Sequence, residues 1–152
     1  MSTNSTLYTE DFYTWCLTTA ALIRAGKWQD IDADALAEEI EDMARSHKRE
    51  LGNRIRILVM HLLKWCYQPE VHQYHGHSWR STMNEQRSEL ELLLQDNPSL
   101  HRQLPEVLAE RYPKARKHAS DETGKLLVTF PDICPWTVQQ MLDDDFWPTA
   151  SS

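Results

Sequence analysis

The stretch DADALAEEIEDMARSHKRELGNRIRILVMHLLKWCYQP, residues 32–69, decides the fold. Asp32 has the side chain of a helix N-cap, and Ile31 and Leu36 around it have the spacing of a hydrophobic staple. Nothing then stops the helix before Pro69, so the pattern predicts a single helix of about 35 residues, ~50 Å long at 1.5 Å per residue. A compact chain of 152 residues has a radius of gyration of about 15 Å and a diameter nearer ~40 Å. Such a helix must bend, protrude or meet a partner chain. Gly52 is the expected place for a bend, and a homodimer built along the helix is the expected partner.

Read in heptads, Ile40, Ala44, His47, Leu51, Arg54, Leu58, His61 and Trp65 follow one another by alternating steps of four and three, the mark of a packing seam. From residue 47 onward one position in each heptad is polar: His47, Arg54 and His61. Arg54 cannot lose its charge, so a buried position there demands a carboxylate or several carbonyls. An antiparallel third helix would bring position 61 near 85 and position 54 near 92, within about one turn of 3.6 residues. Glu85, Gln86, Glu89 and Glu91 then become the natural partners, and an internal polar ladder through His47, Arg54, His61 and Gln86 is expected.

Outward from this helix the chain keeps helical periodicity and only four glycines interrupt it. A first helix fits residues 10–25, capped by Thr9, with Phe12, Trp15, Cys16, Thr19, Leu22 and Ile23 on one face and Gly26 as its stop. After a loop at 69–77, a third helix is expected from Ser78 to about Gln95, with Trp79, Met83, Gln86, Leu90, Leu93 and Leu94 facing inward. Asn97 and Pro98 open a fourth helical region, kinked by Pro105 and Pro113, and Gly124 ends it. Its inner face includes Leu100, Leu104, Leu108, Tyr112, Ala115 and Ala119. A last helix from Pro135 closes the bundle. The expected fold is therefore all-α: one domain over residues 1–152, a helical bundle around one long central helix with antiparallel neighbours. Residues 1–8 and 149–152 are expected to be flexible.

The bulk numbers narrow function. Acidic residues outnumber basic ones by 23 to 16, and a net charge of −7 argues against nonspecific binding to nucleic acid or anionic lipid. The amino terminus lacks a basic region followed by an apolar stretch, and the most apolar run, residues 55–63, is broken by Arg56 and His61. Neither a signal peptide nor a membrane span is expected. Cys16, Cys66 and Cys134 are odd in number and without framework spacing, which fits free thiols in the cytoplasm.

Several groups could carry chemistry. LAEEIEDM supplies Glu38, Glu39, Glu41 and Asp42, which could seat a hard cation or an acid–base pair, yet a solvated face near the positive end of a helix explains them more simply. Asp42 and His61 are 19 residues apart on one helix, ~28 Å, so they could share a metal only across an antiparallel dimer. His72, His75 and His77 with Cys66 could bind zinc, but no two-cysteine knuckle accompanies them and a surface loop is expected, with no metal and no cofactor. His61 lies between Leu58 and Leu62 and reads first as a hydrogen-bonded core histidine. A metal-dependent or hydrolase-like enzyme is the alternative, using His61 with Glu39, Glu85, Glu89 or Glu122. The basic run RSHKRELGNRIR pairs within the helix, Glu41 with Arg45 and Glu50 with Arg54, before it would grip phosphates. Cys134 before Pro135 reads as a buried or capping thiol. There is no phosphate-binding glycine loop and no nucleophile elbow.

The succession YTEDFYTW, LIRAGKW, LAEEIEDM, KRELGNRIRILVMHLLKW with YQP, SWRSTMNEQR, NPSL, ETG, FPDICPWT and DDDFWP resembles the bacterial domain-of-unknown-function family numbered twenty-nine. The resemblance spans nearly the whole chain and implies a small all-helical domain with no established activity. It covers Glu38, Glu39, Glu41, Asp42, His61, Trp65, Trp79, Gln86 and Arg87, none with an assigned role. The VHQYHGH segment differs from the basic, serine-containing segment of relatives, which argues against the loop histidines as a family metal site; His61 is untouched by that difference. Together these readings lead to a cytoplasmic, homodimeric interaction or regulatory module, with a protein partner, no membrane and no nucleic acid.

Overall fold

The computed structural model describes residues 3–150, which form α-helices joined by 3₁₀ segments and loops, with no strand among them. The helices are α1 (Thr3–Glu10), α2 (Phe12–Arg24), α3 (Ala33–Tyr67), α4 (His72–Asp96), α5 (Leu104–Thr123) and α6 (Val138–Leu142). The fold is an all-α bundle in which α3 is the longest element, at 35 residues. Contacts gather into two compact units that divide between Ser46 and His47, and α3 supplies residues to both. Among the described residues no helix is long and apolar enough to cross a membrane.

In the first unit the chain is helical earlier than its sequence suggests. The helix expected over residues 10–25 is α2, which begins after Asp11, and a further helix, α1, precedes it. The Asp11 carboxylate accepts from the Thr14 amide at 3.1 Å and its hydroxyl at 2.7 Å, which makes Asp11 the N-cap of α2. Thr9, the expected cap, donates its hydroxyl to the Thr6 carbonyl. What anchors α1 is Asn4, 4% exposed, which donates to Thr19 Oγ1 at 2.9 Å and accepts from Trp15 Nε1 at 3.3 Å and the Asp32 amide at 2.9 Å. One buried amide thus ties α1, α2 and the start of α3 together. Of the segments expected to be flexible, residues 3–8 belong to α1, residues 149–150 have no regular structure, and residues 1–2 and 151–152 lie outside the described residues. Asp32 caps α3 as its sequence indicates, accepting from the Ala35 amide at 3.1 Å while Ser5 donates to its other oxygen at 2.7 Å.

The second unit is built on the C-terminal part of α3. Leu51, Leu58, Leu62 and Leu63 are at most 1% exposed and meet Met83 and Leu90 of α4 and Ala115 and Ala119 of α5 in one core. Cross-contacts fix the helix directions. Arg54 reaches Gln86, Lys64 lies over the Trp79 ring and Trp65 stacks on His72, so α4 runs antiparallel to α3. Asn53 meets Arg111, Arg56 meets His118 and Lys64 meets Glu122, so α5 runs in the same sense as α3. The short connection through Pro98–Gln103 reverses the chain a second time. The antiparallel neighbour of α3 is therefore α4, not α5.

Helix α4 corrects the loop expected over 69–77. After a single 3₁₀ turn at Pro69–Val71 the helix begins at His72, two turns before Ser78. The Trp65 indole supports these added turns: it stacks on His72 with centroids 3.8 Å apart, and a Cβ on Gly76 would sit 3.6 Å from its ring. In α5, Pro105 occupies the first turn, where its missing N–H is not needed, and Gly124 closes the helix at φ 71°. The last helix starts at Val138 rather than Pro135, because Thr137 and Gln140 form a reciprocal capping box. Side chains of α4 and α5 hold the tail by its carbonyls. Arg116 donates to Phe130 O at 3.0 and 2.9 Å, Tyr112 to Pro131 O, and Arg87 to Met141 O and Phe146 O.

Candidate functional site

Three groupings in the second unit bring polar or titratable side chains together. The first lies between α3 and α4, where Arg54 donates to Gln86 Oε1 at 3.2 Å and to Glu50 Oε1 at 3.0 Å, with Glu89 at 3.7 Å. Gln86 is 8% exposed, so this amide is the buried end of the contact. Of the residues expected in a polar ladder, His47 is exposed, and His61 turns to other partners.

His61 belongs to the second grouping, between α3 and α5. Its Nδ1 donates to Ile57 O at 2.9 Å, since a carbonyl can only accept. Burial holds its pKa below the ordinary histidine value, and the Lys64 charge pushes the same way, against the Ile57 hydrogen bond and the Glu122 charge. The neutral ring then carries its lone pair on Nε2, the form of a proton acceptor. Lys64, 9% exposed, donates to Glu122 Oε2 at 2.7 Å and sits 4.9 Å from the Trp79 ring centre. That ammonium is the main reason why the Glu122 carboxyl is held below its usual range. Of the carboxylates considered beside His61, Glu122 is within electrostatic reach. Glu89 is with Arg54, Glu85 is exposed, and Glu39 lies in the first unit, where it accepts from the Tyr8 hydroxyl. One turn before His61, Arg56 donates to His118 Nδ1 at 3.2 Å.

The third grouping is aromatic. His72 Nε2 donates to Trp65 O at 2.8 Å, His75 stacks on Trp79 and His77 is exposed, so the three histidines are held along the start of α4 by ring contacts and helix position. Together with Trp65 and Arg80, His72 and His77 line a depression of about 400 Å³. Among the described residues, no three His, Cys, Asp or Glu side chains converge as metal ligands do.

A further cavity lies elsewhere, between the start of α5 and α6. It measures about 610 Å³ and is lined by Leu104, Pro105, Leu108, Val138 and Leu142 with His101 at its edge. An adjoining cavity of about 450 Å³ shares His101 and Leu142 and is lined further by Arg87, Glu91, Gln95 and Asp144. Arg87 is 2% exposed; its Nε donates to Met141 O and its Nη2 to Phe146 O, both at 2.8 Å, and its Nη1 has no partner. Burial lowers its pKa, opposed by the charges of Asp144 and Asp143.

Sequence reasoning missed Lys64, His118 and the role of Arg87. For Arg87 a signal exists: Met83, Arg87, Leu90 and Leu94 follow by steps of four, three and four, which places an arginine inside a buried stripe. For Lys64 and His118 there is none, because their contacts with Glu122 and Arg56 depend on α5 running parallel to α3. The thiols are free: Cys66 is buried, which pushes its pKa up to about 11, and burial also raises that of Cys134. No curated protein and no solved structure matches the chain. Residues 7–147 match the family model described as "Domain of unknown function DUF29", and the chain belongs to that family.

Proposed function

We propose that this chain is a helical protein-interaction module of the cytoplasm that works as a homodimer through the uncovered stretch of α3. The observation that carries this reading is the exposure of Ile40, 54%, and Met43, 58%, in a helix whose residues 41–49 are all exposed. Ile40, Met43, Ala44 and His47 follow the three- and four-residue steps of one helix face. In the same heptad seam Leu51, Leu58 and Trp65 are buried and Arg54 and His61 half-buried, so its first part has the pattern of a packing surface without the packing.

The occupant we assign to this face is a second copy of α3 running antiparallel. Acidic residues Glu38, Glu39, Glu41 and Asp42 precede the stripe's midpoint, and basic residues Arg45, Lys48 and Arg49 follow it. Reversing one copy sets the acidic half of each helix against the basic half of the other, whereas a parallel pairing opposes like charges. Arg45 bonds Asp42 and lies 3.5 Å from Glu41 within its own helix, a pair exposed enough to exchange for contacts with a partner. Three thiols without framework spacing support a reducing compartment.

Light scattering at tens of micromolar tests the proposal. The expected mass is twice the 17.8 kDa of one chain, and Ile40→Glu with Met43→Glu should reduce it to one. A strict monomer for the unmodified chain at that concentration overturns the reading.

A further inference from the structure

The groove beside α6 is absorbed neither by the polar groupings around α3 nor by its uncovered face. Its apolar half, about 610 Å³ over Leu104 and Leu108 with Val138 and Leu142 as a wall, has the size and character of a small-molecule site. Its polar half is joined to it through His101 and Leu142 and holds Arg87, Glu91 and Asp144.

Arg87 is the informative residue. The residue is 2% exposed; its guanidinium directs two groups to tail carbonyls and leaves Nη1 with no acceptor. A buried N–H of a charged group without a partner is destabilising, and a carboxylate is the acceptor whose charge and geometry suit it. Glu91 and Asp144 are exposed and make no ion pair among the described residues, although the Asp144 charge reaches Arg87. These two carboxylates call for a cation on the ligand. The groove therefore presents a hydrogen-bond donor of positive charge, a pair of negative charges and an apolar cleft side by side.

We propose that this groove binds a free α-amino acid with a large apolar side chain. Its carboxylate would answer Arg87, its ammonium Glu91 and Asp144, and its side chain would lie over Leu104 and Leu108. A ligand with either charge alone would leave one of the two protein charges uncompensated, so the zwitterion is the species that the groove distinguishes. The site is independent of the proposed dimer face, which lies on other residues.

The test is an NMR titration of the full chain with L-phenylalanine, phenylalaninamide, which lacks the carboxylate, and 3-phenylpropanoate, which lacks the ammonium. L-phenylalanine is expected to shift the methyl resonances of Leu104, Leu108 and Val138 saturably. It should bind about tenfold tighter than either analogue, ~1.4 kcal/mol. Arg87→Lys also weakens the tail, so the carboxylate contact is read from the amide comparison instead. The ammonium contact is read from surface changes: with Glu91→Gln and Asp144→Asn together, 3-phenylpropanoate should bind as well as L-phenylalanine. The Ile40→Glu, Met43→Glu protein should bind like the unmodified one, which separates this site from the dimer. Absence of saturable shifts in the groove at tens of millimolar overturns the proposal. So does either analogue matching L-phenylalanine on the unmodified chain, or an unchanged preference in the double variant.

Discussion

Replacing Arg87 by methionine tests whether the tail is held by one buried cation. Methionine keeps the length and apolar stem of the side chain but removes the donors to Met141 O and Phe146 O, both at 2.8 Å, and the contact with the Trp147 ring at 4.9 Å. Hydrogen bonds from a charged donor contribute ~1.5–3 kcal/mol each, so two amount to ~3–6 kcal/mol. The cation–π contact adds about 0.5–1 kcal/mol. Opposing this, the variant no longer buries a guanidinium with an unpartnered N–H, a relief of about 1–3 kcal/mol. Replacing a buried ion by an apolar side chain is often neutral or favourable when its partner ion is removed too. Here the partners are backbone carbonyls that stay behind, so the loss wins and Arg87→Met should destabilise by ~2–4 kcal/mol. At ~2–4 °C per kcal/mol for a chain of this size, Tm should fall by ~5–15 °C. Urea unfolding followed by tryptophan fluorescence measures the free energy, and limited proteolysis should show cleavage after residue 130 before any other region. A variant within about 0.5 kcal/mol of the unmodified chain, or a more stable one, would refute the reasoning. It would mean that burying the charge costs as much as its two bonds return.

Gly52→Ala should be close to neutral, although a Cβ there would lie 2.6 Å from Arg111 Nε and 2.8 Å from its Cζ and Nη2. The obstacle is the end of a flexible side chain, which can swing away and give up its 3.2 Å bond to Asn53, while alanine gains ~0.8–1 kcal/mol of helix propensity. A loss above ~2 kcal/mol in urea unfolding would show that backbone must move as well. For His61 the sign follows from a folded pKa below the unfolded value of about 6.5. Between the two values the unfolded chain binds more protons, so stability rises with pH there. The penalty for acid is absent above the unfolded pKa and complete below the folded one. His61→Gln should therefore flatten the stability profile from about pH 6.5 downward, and a variant profile parallel to that of the unmodified chain would contradict the assignment.

The long helix was legible because its signals are local. Asp32, the staple of Ile31 with Leu36, and the absence of proline before Pro69 set both ends of α3 to within two residues. The buried stripes of α4 and α5 were legible for the same reason: Trp79 to Leu94 and Leu100 to Ala119 repeat every three or four residues. The start of the chain was not legible, since α1 depends on the single polar side chain of Asn4 meeting Thr19, Trp15 and Asp32, and no periodicity announces such a contact. His72 to His77 misled for a related reason. Histidines and glycine are poor helix formers on their own, and the Trp65 ring that supports them lies on the other side of the chain reversal at Pro69–Val71.

The seam through α3 shows why a correct repeat can still leave function open. Its steps of four and three continue from Ile40 to Trp65, but packing begins only at Leu51. A heptad pattern records that a helix face meets another surface, and it does not say whose. From Leu51 onward the partners are α4 and α5 of the same chain, and there Arg54 finds Gln86 while His61 is drawn to the α5 side with Lys64 and Glu122. Before Leu51, Ile40 and Met43 stay exposed among the described residues, and this uncovered part of the pattern is what the proposed dimer rests on. In the proposed dimer, charge selects the partner. A helix acidic in one half and basic in the other complements its own reversed copy better than a uniformly charged surface does.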